Sequence, residues 1–188
     1  MELQKINVKF FVAEPDKVPL TDFIDVFHGW IQATDGVYHD VADYSHMQAG
    51  PGIVLVAADA HVSIDETEGR RGLLYKQKAP LPGSNQEKLR HVFRSALENC
   101  LRIEKEPSLM GKLKFRAEET EITINDRLVA PNREDALLEL KADLDTFLEK
   151  LYRGSAVSVE RNDDPRQCLG LKVRAKQPFE IASLIQNL

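Results

Sequence analysis

IVLVAADAHVSIDETEGRRGLLYKQK, Ile53 to Lys78, is the stretch whose reading decides the fold. Ile53–Ala58 is a continuous apolar run, the pattern of a strand covered on both faces. The run continues as Ala60, Val62 and Ile64, alternating with His61, Ser63 and Asp65. Period-two alternation marks a strand with one face in water. The stretch therefore reads as one long strand emerging from the core. Glu68-Gly69 turns the chain, and GLLYKQK returns as its partner. Strands joined by so short a link are antiparallel.

Towards the N-terminus, Ile6–Ala13 reads as a short strand. Leu20, Phe23, Ile24, Phe27, Trp30 and Ile31 then recur at helical spacing. Thr34-Asp35-Gly36 ends that helix, with Gly36 suited to a left-handed cap. Towards the C-terminus, Ser84 and Glu87 have capping-box spacing. They precede one apolar stripe, Leu89, Val92, Phe93, Ala96, Leu97, Cys100 and Ile103. Pro107–Gly111 breaks this helix. Leu113–Ala117 and the alternating Ile122 and Ile124 read as a further hairpin, with Asn125-Asp126 turning into Arg127–Pro131. Asn132 is placed to cap a helix whose inward residues include Leu137, Leu140, Leu144 and Phe147. Ala156–Glu160 and Leu169–Ala175 flank a turn at Asn162–Pro165. Pro178 starts a last helix.

The expected class is α+β, an antiparallel sheet built from hairpins with helices mainly on one face. The expected order is βαβββα followed by ββαββα. Its two parts, 1–106 and 112–188, form one domain or two packed subdomains, with Pro107–Gly111 as the seam. With 188 residues, 43% of them hydrophobic, the chain can bury about 70% of its unfolded surface.

Charge narrows the partners. The formal net charge is -5 and the sequence pI about 5.6, whereas nucleic-acid binders show a basic face. Nucleic acid is not an expected partner. No stretch reaches the roughly 20 apolar residues of a membrane span, and the apolar run near the N-terminus is too short for a secretion signal. A cytoplasmic protein without a membrane partner is expected. Cys100 and Cys168 lack metal-type spacing and read as free, buried thiols of a reducing compartment.

Chemistry concentrates in HDVADYSH, His39 to His46. His39, Asp40, Asp43 and His46 are ligand types for zinc, manganese or iron. In a straight strand, His39 and Asp43 lie about 13 Å apart and Asp40 and His46 about 20 Å. In a helix, His39, Asp43 and His46 share one face. In a third geometry the strand ends near Asp43 and a returning loop lets Asp43 and His46 meet His61. The structural alternative has Asp40 and Asp43 capping turns, and Tyr44 packing its ring.

Gly50-Pro51-Gly52 leads into a strand rather than a helix N-terminus and lacks the GxGxxG and P-loop patterns, so it reads as a tight turn. No nucleotide cofactor is expected. Arg70 and Arg71 could clamp a small anion, although neighbours in a strand point apart. No GxSxG elbow supports a nucleophilic serine.

The candidate pocket therefore draws on His39, Asp40, Asp43, Tyr44, His46, His61, Arg70, Arg71 and Tyr75. The leading expectation is a small-molecule-binding or protein-interaction module, with a homo-oligomer compatible with the exposed strand faces. The rival is a metal-dependent hydrolase. In it Asp43, His46 and His61 hold a divalent metal and an arginine holds an anionic substrate.

Overall fold

The computed structural model describes the backbone of residues 1–188 and every side chain except that of Asp16. Eight strands form a single antiparallel sheet in the order β2-β3-β4-β5-β1-β6-β8-β7. They are β1 (Ile6–Val12), β2 (Tyr38–Asp43), β3 (Ile53–Ala57), β4 (Ala60–Asp65), β5 (Gly72–Gln77), β6 (Phe115–Ile124), β7 (Val157–Arg161) and β8 (Leu169–Ala175). The helices are α1 (Asp22–Ala33), α2 (Asn85–Glu104), α3 (Glu134–Leu151) and α4 (Ile181–Asn187). The class is α+β, as the hairpin-and-helix pattern implies.

The distribution of strands differs from the sequence reading. Ile53–Asp65 is two strands, folded back at Ala58-Asp59 so that Val56 faces His61 and Ile53 faces Ile64. Conversely, Phe115–Ile124 is one strand. Its alternation changes phase because the pairing with β1 slips between Phe10 and Val12. Arg127–Pro131 is a loop, held by the Asp126 carboxylate accepting from the backbone N–H groups of Leu128 and Val129.

Each helix bears its own local signal. Ser84 caps α2 in a complete capping box with Glu87. The N-cap of α3 is Arg133, not Asn132. Asn132 is instead buried, its amide donating to the carbonyls of Asn162 and Asp164 and so pinning the β7–β8 turn. α4 begins at Ile181, three residues beyond Pro178. Gly36 is left-handed at φ 69°, although α1 already ends at Ala33.

β1 lies at the middle of the sheet, and alternate residues serve opposite faces. Ile6, Val8, Phe10 and Val12 are buried beneath the helices, with the Phe10 and Phe93 rings edge to face at 6.0 Å. Phe93 also meets Phe147 of α3, with ring centroids 4.8 Å apart. Asn7, Lys9 and Phe11 point to the other face, which no helix covers. Because β1 pairs with both β5 and β6, the sheet runs unbroken past Pro107–Gly111.

Candidate functional site

The open face carries charge in rows set by register. In one row Glu160 of β7 faces Lys172 of β8, Lys172 faces Glu121 of β6, and Glu121 faces Lys9 of β1. Opposite charges alternate across four strands, an arrangement that favours this pairing over a slipped one. Lys9 leans across β5 to Asp65 of β4, its Nζ 2.6 Å from Oδ1. Gly72 makes that path possible, since a Cβ there would sit 3.0 Å from the Lys9 Cε. The pair is 6% and 0% exposed, and the Asp65 Oδ2 has no partner.

One row further, Glu119 gathers three arginines. Oε1 accepts from Arg70 at 2.9 Å and Arg174 at 3.0 Å, and Arg116 lies 3.8 Å from Oε2. Burial raises the Glu119 carboxyl, but the Arg174 and Arg70 hydrogen bonds outweigh it and hold the group below its ordinary value. Glu121 shifts the other way, raised by burial and by Glu68. Arg70 stacks over the Phe11 ring at 3.7 Å. Arg71 turns away to Glu66 and to the carbonyls of Pro15 and Val18. The two arginines do point apart, and each guanidinium already holds a carboxylate.

HDVADYSH follows the third geometry, a strand ending at Asp43 and a loop back to Gly52, whose carbonyl accepts from the Tyr44 N–H at 2.8 Å. It does not bring the proposed metal ligands together. Asp43 faces Ile53, whereas His61 faces Val56, three residues along β3 and on the opposite face. That separates them by roughly 10 Å along the strand alone. Asp43 accepts from the Ser45 N–H at 2.8 Å, and hydrogen bonds from Ser45 hold its carboxyl below the usual range. Asp40 accepts from the Val41 N–H. His39, Tyr44 and His46 are exposed. His61 is lowered by burial and by Lys78 and Lys76, and its Nδ1 is buried without a partner. Among the described residues no three His, Cys, Asp or Glu side chains are grouped to hold a metal ion. Cys100 is buried and its thiol pushed up by burial, while Cys168 is only half-buried and both are free.

Of the nine candidate residues, Tyr75 leads to a cavity. It lies on the helix-covered face, where a space of about 450 Å³ opens between α2, the β3–β4 hairpin and the Gly36–Tyr38 segment that follows α1. Tyr38 and Tyr75 form aromatic walls, and the β3–β4 turn at Ala58-Asp59 and α2 residues Ser95, Glu98 and Asn99 form the rim. Ala57 and Ala60 keep the floor open. Binding cavities for small molecules run to about 300–1,000 Å³ and combine apolar walls with a few polar groups.

The polar groups of this cavity are oriented. The Gln77 amide donates to the carbonyls of Asp59 and Ala79, so its Oε1 faces Tyr75 and accepts the phenol proton at 3.0 Å. The Asn99 amide donates to the Ser95 carbonyl at 2.7 Å, leaving its Oδ1 free to accept. Burial pushes the Tyr75 phenol up, as do Tyr38 and Asp59, against the nearby Ser95 hydroxyl. Tyr38, Ser95 and Asn99 were not among the candidates; they come from three separate elements with no common motif.

Comparisons of the chain with protein-family models, curated proteins and solved structures find no match. No helix among the described residues is long and apolar enough to cross a membrane.

Proposed function

We propose that the protein is a binding module that takes a small organic molecule into the cavity between α2, the β3–β4 hairpin and the Gly36–Tyr38 segment. One observation carries this reading. A space of about 450 Å³ opens to the surface beside two tyrosine rings on the covered side of the sheet. The open face supports no comparable reading. Its two hollows, of about 200 and 210 Å³, are floored by side chains already engaged in ion pairs.

The test is a plugged cavity. Ala58 is exposed at the hairpin turn, lines the cavity and is not left-handed, so Ala58→Trp puts an indole over the mouth with little backbone strain. A fragment library is screened by saturation-transfer NMR against the wild type and this variant, with circular dichroism as the folding control. Hits on the wild type that vanish on a folded Ala58→Trp are expected. The same hits on both proteins, or none on the wild type, would overturn the proposal.

A further inference from the structure

We infer that the ligand of this cavity carries a protonated amine on an apolar body. This rests on the proposed reading of the cavity and names the chemistry it selects.

Among the described residues, the lining offers carboxylate, carbonyl and phenol oxygens and no cation, its remaining side-chain donors being the Tyr38 and Ser95 hydroxyls and one Asn99 N–H. The Tyr75 proton is committed to Gln77, because the Gln77 amide nitrogen is itself fixed on two carbonyls. The tyrosine oxygen therefore presents lone pairs, one of them beside the Ser95 hydroxyl. Asn99 spends one of its two N–H groups on the helix backbone and keeps its carbonyl oxygen free to accept. Asp59 and Glu98 add two carboxylates at the rim, and neither is in an ion pair among the described residues. No Lys, Arg or His lines the cavity among the described residues. The two buried carboxylates, Glu119 and Asp65, are matched by cations, whereas Asp59 and Glu98 are exposed. These two stand unmatched beside aromatic faces, and ring faces attract cations.

An ammonium group satisfies this set with N–H donors to Tyr75, Asn99 and a carboxylate. Charge-assisted bonds of this kind are about twice as strong as neutral ones. A neutral alcohol offers one donor and no charge. An anion would meet two carboxylates and no cation. The amine's body then packs against Tyr38, Val62 and the alanines.

Three matched probes test the inference: benzylamine, benzyl alcohol and benzoate, titrated at pH 7 by NMR shift perturbation. The proteins are the wild type, the Asp59→Asn/Glu98→Gln double variant and Ala58→Trp. On the wild type, benzylamine is expected to bind at least about tenfold tighter than benzyl alcohol, with benzoate weakest. The double variant should bring amine and alcohol to similar affinity, and Ala58→Trp should abolish both. If all three probes bind equally and Ala58→Trp removes them all, the cavity reading stands and the amine inference fails. If benzylamine binds Ala58→Trp as tightly as the wild type, the cavity reading itself fails. Absence of benzylamine binding to the wild type also overturns the inference.

Discussion

Gly52 shows how one residue can fix a junction. It is left-handed at φ 66°, and a Cβ there would lie 1.9 Å from the Ile64 carbonyl oxygen. Gly52→Ala combines backbone strain with a backbone clash, so a loss of at least about 2 kcal/mol is expected in urea unfolding. Lys9 and Asp65 make a different case. Lys9→Met strands a fully buried carboxylate, at an expected cost of about 3–5 kcal/mol. Adding Asp65→Leu should recover much of that loss, because the stranded charge is gone. A double variant no better than the single would show that the pair acts mainly through packing. Gly50-Pro51-Gly52 was legible as a turn; its steric necessity was not, since Ile64 reaches it only through strand pairing.

At the scale of elements, α2 is the part the sequence states most plainly. The capping box links Ser84 and Glu87 in both directions. Ser84→Ala should lower stability by about 1 kcal/mol in thermal or chemical unfolding, with no change in the cavity. Strand boundaries were harder, and for one reason. Apolar positions shift phase from odd to even twice, from Ile53 and Leu55 to Ala60, Val62 and Ile64, and from Phe115 and Ala117 to Ile122 and Ile124. The first shift is a two-residue hairpin and the second a register slip within one strand. A phase change alone does not separate the two; the partner strand decides. The same limit hid the site. Tyr75 was a candidate because it follows the hairpin, but Tyr38, Ser95 and Asn99 join it only once α2 lies across β5. HDVADYSH offered the right ligands for a metal, and the pairing of β2 and β4 on opposite edges of β3 keeps them apart.

Across the whole molecule, Glu119 ties the two halves of the chain together, with Arg70 from before β5 and Arg174 from β8 on one oxygen. Its carboxyl is held below the ordinary value, so the stabilisation is present above the unfolded-state pKa and lost as pH falls through the lowered one. Glu119→Gln is expected to cost about 1–3 kcal/mol at pH 7, and the gap to wild type should close at strongly acidic pH. Urea unfolding at the two pH values measures both. The continuous sheet leads to a related expectation. Trp30 fluorescence, which reports the first half, and far-ultraviolet circular dichroism, which reports the whole, should unfold in one coincident transition. Two separated transitions would mean that the halves fold as independent units.

The central place of β1 also sets a timetable for synthesis. The strand leaves the ribosome before either of its partners, so Asn7 must wait for Lys76 on one side and for Thr123 on the other. Translation at roughly 5–20 residues per second puts seconds between those arrivals. During that interval β1 is half-paired, with a flank rich in Phe and Val open to other nascent chains. Slow codons between residues 78 and 124 would lengthen this exposure, and chaperone demand during expression should rise with it.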